Sequence, residues 1–356
     1  MLKKLLKIIA ILLAVVLVIA LGYVAYVFIS YHRLPDEDVA LEPAGPAAKA
    51  GESYTIATWN LGFGAYSDDY GFFMDGGTES WAFSKDAVYA NVGHATDTLA
   101  ALAPDFMILQ ELDIDSTRTY HVDEVELVRG AFPDYQTYFA QNYDSPFLFY
   151  PFTQPHGASK SGILTLTEKA VDRAVRRALP IETGFTKFLD LDRCYSKVYI
   201  PVEGGKHMVL YNQHLSAYTS DGSIAQTQLE LLCADMLAEY EAGNYVVGGG
   251  DFNKDLLGDS GAIFGVAGGD YTWNQPIPEG TIPEGLTLVN SLDAENPIPS
   301  NRVADGPYAP GKTFVSTLDG FIVSDNVRVA SCRVLDDGFK CSDHNPVIME
   351  FELTEE

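Results

Sequence analysis

At 356 residues, with 47% apolar content, 19 Phe and 20 Tyr, the chain can bury a large core, which excludes disorder over most of its length. Residues 1–33 hold four basic residues and no acid, so the remainder carries 19 basic against 49 acidic side chains, a net of −30. That balance excludes a global electrostatic attraction for nucleic acid or an anionic membrane surface, although a bound cation can still supply local positive charge.

Ile8 to Ile29 is a run of 22 uncharged residues, long enough to cross a bilayer as a helix. Lys3, Lys4 and Lys7 precede it, and Asp36, Glu37 and Asp38 follow it. The positive-inside rule then predicts a cytoplasmic N-terminus, with everything after about residue 30 outside. A cleaved signal peptide is the alternative, but its apolar region spans about 7–15 residues and ends in small residues. This run is longer and ends in Tyr23, Tyr26 and Phe28. The expectation is a single-pass anchor in the cell membrane over residues 1–29. Residues 30–53, rich in Pro, Ala, Gly and acids without periodicity, predict a flexible stalk. No second linker and no fixed-period repeat follows, so residues 54–356 are expected to form one domain.

Within that domain Tyr54–Asn60 reads as a strand. Ser84 is placed to cap a helix whose apolar positions Val88, Val92, Ala95, Leu99 and Leu102 step by four and three, with Pro104 ending it. Phe106–Leu109 predicts the next buried strand. Further strands are predicted at Gly162–Leu166, Ser196–Val202, Met208–Asn212, Tyr245–Val247, Gly320–Val323 and Val347–Phe351. A second amphipathic helix fits Ile224–Tyr240, with Leu229, Cys233, Met236 and Tyr240 on one face. Many strands with few helices predict stacked sheets with helices outside. The aromatic stretch 134–156 and the proline-rich stretch 274–312 fit no regular element. Among the four cysteines, Cys332 and Cys341 flank a turn-like Asp336-Asp337-Gly338, where a hairpin-closing disulfide is conceivable in an exported domain. Cys194 and Cys233 sit in apolar contexts, and no spacing suits zinc.

Polar residues recur where apolar strands end. Asn60 closes YTIATWN, Glu111 closes FMILQE, His214 closes MVLYNQH, and Asp251 and Asn253 close YVVGGGDFN. Asp319 leads into a strand, and Asp343-His344 stand before PVIMEF. Carboxylates gathered in one cleft repel unless a cation joins them. Carboxylate and amide oxygens are hard ligands, suited to Mg2+, Mn2+ or Ca2+ rather than zinc. In Asp251-Phe252-Asn253, alternation puts the acid and the amide on one side and Phe252 on the other. Gly248-Gly249-Gly250 allows close backbone approach. A dication with histidines nearby polarises a phosphoryl oxygen and activates water, which is the chemistry of phosphoester hydrolysis. Each motif alone has an ordinary reading: Gln110-Glu111 as a loop start, Asn212-Gln213-His214 as a turn, Gly-Asp-Phe-Asn as an Asx-turn. The ordered conjunction decides.

In that order, WN, QE, NxH, GDFN, DG and SDHxP, spread over Asn60 to Pro346, resemble the endonuclease/exonuclease/phosphatase superfamily. That superfamily includes deoxyribonucleases, abasic-site endonucleases, inositol-phosphate 5-phosphatases and bacterial sphingomyelinases. The resemblance implies a four-layer α/β sandwich, two central mixed β-sheets flanked by helices, with the site at one edge. It implies Glu111 as principal metal carboxylate, with Asn60 nearby and Asp343 as a further ligand or orienter. Asp251 would position or activate water, Asn253 would hold the phosphate, and Asp319 would orient His344, which acts on phosphate or water. His214 would donate to a phosphate oxygen or the leaving group, and Arg193 would contact the phosphate. The chain departs from the deoxyribonucleases near Gly162–Leu166, where Lys160 stands instead of a glutamate that pairs with the first histidine. His214-Leu215-Ser216-Ala217, followed by a long helix, is closer to the sphingomyelinase-like and generic bacterial members. The resulting expectation is a Mg2+-dependent hydrolase (Mn2+ or Ca2+ as alternatives) acting outside the membrane on a small or lipid-linked phosphoester. It is expected to touch the membrane through its N-terminal helix, with no stable nucleic-acid binding and no protein partner. An extracellular nuclease and a non-catalytic binding domain are the alternatives.

Overall fold

The computed structural model describes residues 1–184, 187, 192–219, 221–266, 271–293 and 295–355. The core is two mixed sheets packed face to face. In chain order, the strands that carry the argument are β1 (Glu37–Ala40), β2 (Ser53–Asn60), β3 (Phe106–Asp113), β4 (Gln136–Asp144), β5 (Lys160–Thr167), β6 (Arg173–Ala178), β7 (Cys194–Pro201), β8 (His207–His214), β9 (Tyr245–Asp251), β10 (Leu286–Val289), β11 (Asn301–Arg302), β12 (Val315–Ser316), β13 (Asp319–Ser324), β14 (Val327–Val334) and β15 (Val347–Leu353). One sheet runs β14-β15-β2-β3-β5-β4 and the other β1-β6-β7-β8-β9-β13-β10. Each holds one parallel pair, β2 with β3 and β8 with β9, among antiparallel neighbours.

Strand alternation explains the layers. In β2 and β3, Tyr54, Ile56, Phe106 and Ile108 face the other sheet, while Ala57, Trp59, Met107 and Leu109 face outward. Those outward residues pack beneath helices α2 (Lys85–Leu102) and α3 (Glu124–Ala131). In β8, Met208 and Leu210 face inward, while Val209 and Tyr211 meet α4 (Ser223–Glu241) through its Leu229, Leu232, Cys233 and Met236. The result is helix, sheet, sheet, helix, the four-layer arrangement expected. Ser84 caps α2 by accepting from the Ala87 N–H at 3.0 Å, as its position predicts.

Helix α1 (Leu2–Ser30) is long and apolar enough to cross a membrane, and none of it is buried in the protein. The following segment differs from a flexible stalk. Residues 37–40 pair along β6 as an edge strand, and Asp38 receives two hydrogen bonds from Arg173, at 2.8 and 2.7 Å. Arg33 reaches Asp192 at 2.6 Å, and Arg176 donates to the Leu34 and Pro35 carbonyls. Composition alone misses this docking because the partners lie some 140 residues away in sequence. The Cys332–Cys341 disulfide does not form: all four cysteines are free, with Cys332 on β14 and Cys341 buried beside His94 and Asp337.

Candidate active site

The same alternation that fills the space between the sheets also builds the site. Asn60 shares the inward parity of Ile56, His214 that of Met208 and Leu210, Asp251 that of Tyr245 and Val247, and Asp319 that of Phe321 and Val323. Inward positions are apolar through the sandwich and turn polar at one end, where the parallel strands finish and β13 begins. A layer of amides marks the change: Gln110 donates to the Asn212 Oδ1 at 2.8 Å, and Asn212 donates to the carbonyls of Leu109 and Leu164. These bonds cross between the sheets and satisfy groups that would be costly to bury unpaired.

Register sets the neighbours. His214 lies opposite Asp251, and Asp251 opposite Asp319, so three site residues stand side by side on β8, β9 and β13. Gly250, at φ 135°, permits this closeness, because a Cβ there would stand 2.0 Å from the Gln213 carbonyl oxygen. Phe252 packs into the core against α4, as alternation predicts. The Asn253 backbone N–H donates to Asp251 Oδ1 at 2.8 Å, and its amide donates to the Leu215 carbonyl.

The opposite rim comes from the other sheet. Trp59 Nε1 donates to the His344 carbonyl at 2.8 Å, and Ser342 Oγ donates to the Asn60 carbonyl at 2.6 Å. These bonds join the end of β2 to the segment before β15. Asn60 donates through Nδ2 to Asp251 Oδ2 at 3.0 Å, while its Oδ1 accepts from the Gly62 N–H. Asn60 therefore orients Asp251 directly. That same Asp251 oxygen lies 3.5 Å from His214 Nε2 and 3.7 Å from His344 Nε2, and Glu111 Oε1 lies 3.7 Å from His214 Nε2. His344 Nδ1 donates to Asp319 Oδ2 at 2.8 Å, an oxygen that also accepts from Ser300 Oγ at 2.7 Å. Glu111 and Asn253 hold left-handed backbone conformations, φ 55° and 46°, a strain that concentrates at functional sites.

The electrostatics follow from burial and proximity. Burial opposes the imidazolium of His344, but Asp319 and Asp251 outweigh it and raise the group to about 10. Burial pushes His214 well below the usual imidazole range, and the positive charges of Arg193 and His344 act in the same direction. The two histidines are thus driven apart, one cationic and one neutral. Burial raises Asp251 to about 6 and Asp343 to about 7, with Asp319 adding to the first and Glu111 to the second, while His344 opposes both.

The donor set fits a hard dication. Glu111 and Asp343 repel each other across the cavity they both line, a repulsion that a cation would relieve. Gly62 keeps room there: a Cβ at its φ of 52° would approach Asp343 Oδ1 to 3.2 Å. Asp251, Asp319 and His344 also present ligand atoms within 4.8 Å of one another, but Asp319 and His344 are committed to each other by a hydrogen bond. Glu111 and Asp343 are the residues that would hold a metal.

All nine residues singled out from the sequence fall at this end of the sandwich. Seven line a single cavity of about 450 Å3, namely Glu111, Arg193, His214, Asp251, Asn253, Asp343 and His344, and Asn60 stands behind Asp251. Asp319 lies behind His344. Lys160 is exposed at the start of β5 and does not line the cavity, so the acids nearest His214 are Asp251 and Glu111. Sequence reasoning missed Ser300 and Asn301. Asn301 Nδ2 stands 3.0 Å from His344 Nε2, and its amide can present either end to that nitrogen. It also missed Arg118, which grips Asp113 with two bonds of 3.0 and 2.8 Å and lies 3.6 Å over the Phe63 ring in the cavity wall. No spacing signal marks these three.

Comparison with known proteins identifies the family. The model of the "Endonuclease/Exonuclease/phosphatase family" matches residues 57–344, and the chain belongs to that family. It is therefore a metal-dependent phosphoesterase by class. A search of curated protein sequences gave no match. Among solved structures, an endonuclease/exonuclease/phosphatase from Beutenbergia cavernae is similar at TM-score 0.56 and 17% identity, covering 85% of this chain and 72% of that one. The human Nocturnin catalytic domain with bound sulfate anion is similar at TM-score 0.52 and 17% identity, covering 90% and 98%. ANGEL2, a 2',3'-cyclic phosphatase, is similar at TM-score 0.53 and 13% identity, covering 92% and 99%. At these identities the likeness is one of fold.

Proposed function

We propose that the chain is a divalent-metal-dependent phosphodiesterase, anchored by α1 with its catalytic domain outside the cytoplasmic membrane. The observation that carries this reading is the surrounding of one carboxylate. Asp251 Oδ2 is held by Asn60 at 3.0 Å and flanked by His214 and His344 at 3.5 and 3.7 Å. An acid raised to about 6 is suited to take a proton from water near neutral pH. The water oxygen attacks phosphorus, the bond to the leaving oxygen breaks, and a proton passes to that oxygen, giving a phosphomonoester and an alcohol.

The other residues take roles from their positions. His344, cationic through Asp319, faces the charge that develops on the phosphoryl oxygens. Neutral His214 is placed to carry a proton to or from an oxygen, and Arg193 and Asn253 hold the phosphate. Glu111 and Asp343 would hold Mg2+ (Mn2+ or Ca2+ as alternatives), which supplies Lewis-acid polarisation when bound. The domain's net charge of −30 argues against a nucleic-acid substrate held along an extended surface. The full chain should hydrolyse bis(p-nitrophenyl) phosphate with Mg2+ and stop when the ion is chelated. Asp251→Asn should lower kcat by about 10³-fold, in the range of losing a general base together with its neighbours. Undiminished hydrolysis in that variant would contradict the assignment.

A further inference from the structure

The loop of residues 147–152 joins the lining of the cavity to the outer end of α1. Tyr23 donates to the Phe147 carbonyl at 3.1 Å, the Phe147 N–H donates to Tyr26 Oη at 3.1 Å, and the Tyr23 and Phe149 rings meet edge-on at 5.1 Å. Three side chains of the loop stay open to solvent: Phe149, Tyr150 and Phe152 are 51%, 62% and 84% exposed. Three large aromatics exposed within four residues are unusual on a water-facing loop. Leu148 and Tyr150 of the same loop also line the cavity, and Tyr150 packs on Phe73 at 5.8 Å between ring centres.

Dimensions place this loop at a membrane surface. A helix of 29 residues is about 43 Å long at 1.5 Å per residue, against about 30 Å of hydrocarbon. Tyr23 lies seven residues, about 10 Å, short of the outer end at Ser30. Measured against the uncharged run Ile8–Ile29, about 33 Å long, Tyr23 lies inside the outer apolar boundary, at the depth of about 5–10 Å to which interfacial apolar groups seat. The docked segment 33–40 fixes the domain close to the helix instead of letting it swing free. With a net of −30, the domain cannot be drawn down by anionic lipid, so the contact has to be apolar.

We propose that residues 147–152 and the outer turns of α1 form one membrane-seated surface, which sets the cavity mouth on the lipid leaflet, and that the phosphoester it takes carries a lipid tail. The substrate half of this rests on the hydrolase reading above. The cavity suits such a molecule, since its lining combines charged residues with the apolar side chains Phe63, Phe72, Phe73 and Leu148. Hydrolysis would leave one product in the bilayer and release the other to water.

Two measurements on the full-length chain in phosphatidylcholine vesicles test the two halves. In Phe152→Trp, brominated acyl chains should quench the introduced indole well beyond the parent, whose Trp59 and Trp273 are buried and whose half-buried Trp81 donates to the Pro155 carbonyl and sets the background. No added quenching overturns the membrane seat, and a surface covered by a second copy of the chain would give that result. Separately, hexadecyl p-nitrophenyl phosphate in the vesicles is compared with soluble ethyl p-nitrophenyl phosphate. Phe149→Ser and Phe152→Ser should each cut hydrolysis of the hexadecyl ester about tenfold or more, the scale of losing one buried aromatic, and leave the ethyl ester unchanged. Equal hydrolysis of both esters by the parent, or equal losses in the variants, overturns the lipid substrate. Hydrolysis of neither ester defeats the hydrolase reading and the lipid substrate together, while quenching still decides the membrane seat.

Discussion

Asp319→Asn isolates one charge. In the parent, Asp319 Oδ2 accepts from His344 Nδ1 at 2.8 Å, with both groups buried, and His344 is raised to about 10. Opposite charges about 3 Å apart attract by about 5 kcal/mol at an effective dielectric near 20, which is about 4 pKa units. The amide keeps the volume and the Ser300 bond but removes the charge, so His344 should fall to about 6–7, close to its ordinary value. The parent should then show no loss of activity from His344 as pH rises from about 6 to 9. The variant should lose activity about tenfold per pH unit above its lowered pKa, reaching about thirtyfold at pH 8. The assay is the pH dependence of kcat on bis(p-nitrophenyl) phosphate, with the His344 ring followed by NMR. Superimposable profiles, or a His344 ring that still titrates near 10 in the variant, would refute the reasoning.

Three further outcomes follow from other contacts. Trp59→Phe leaves the buried His344 carbonyl without its donor, so it should destabilise the fold by about 1–3 kcal/mol in urea melts and lower the rate. His156 is buried against Phe72 and Phe73 and is pushed down to about 3, chiefly by burial and then by Arg118. Between about pH 6.5 and 3 the unfolded chain takes up a proton that the fold refuses, so stability falls as pH falls, by about 1.4 kcal/mol per unit. His156→Phe should flatten that acid limb in melts taken from pH 7 to 4. All four thiols are free and burial raises each above its usual range, so a reductant should leave Tm unchanged, and thiol reagents should react slowly until the chain unfolds.

The central strands and long helices were readable because each satisfies a periodicity over its whole length, and β2, β3, β8, β9 and α4 extend only a few residues beyond their predicted cores. The site was readable for a related reason. A residue such as His214 or Asp251 carries the inward parity of its strand past the end of the apolar run. Elements whose identity depends on partners were missed. β1 pairs with a strand more than 130 residues away, and its Glu37-Asp38-Val39-Ala40 has no apolar face to reveal it. β4 hides inside an aromatic run without alternation, and α3 spans only eight residues. Ser300 and Asn301 sit within the proline-rich excursion, where no period constrains side-chain direction. Their places against Asp319 and His344 come from the Asn301–His344 bridge. Cys332 and Cys341 illustrate the limit of spacing, since nine residues around a turn did not bring the sulfurs together.

The central claim is that two sheets deliver acids, amides and imidazoles to one metal-assisted phosphoryl site. Anomalous diffraction from crystals of the full-length chain soaked in Mn2+ tests it most directly. The account predicts a manganese peak in the cavity between Glu111 and Asp343, lost in Glu111→Gln. A peak elsewhere with this cavity empty, or one that persists in Glu111→Gln, would contradict it.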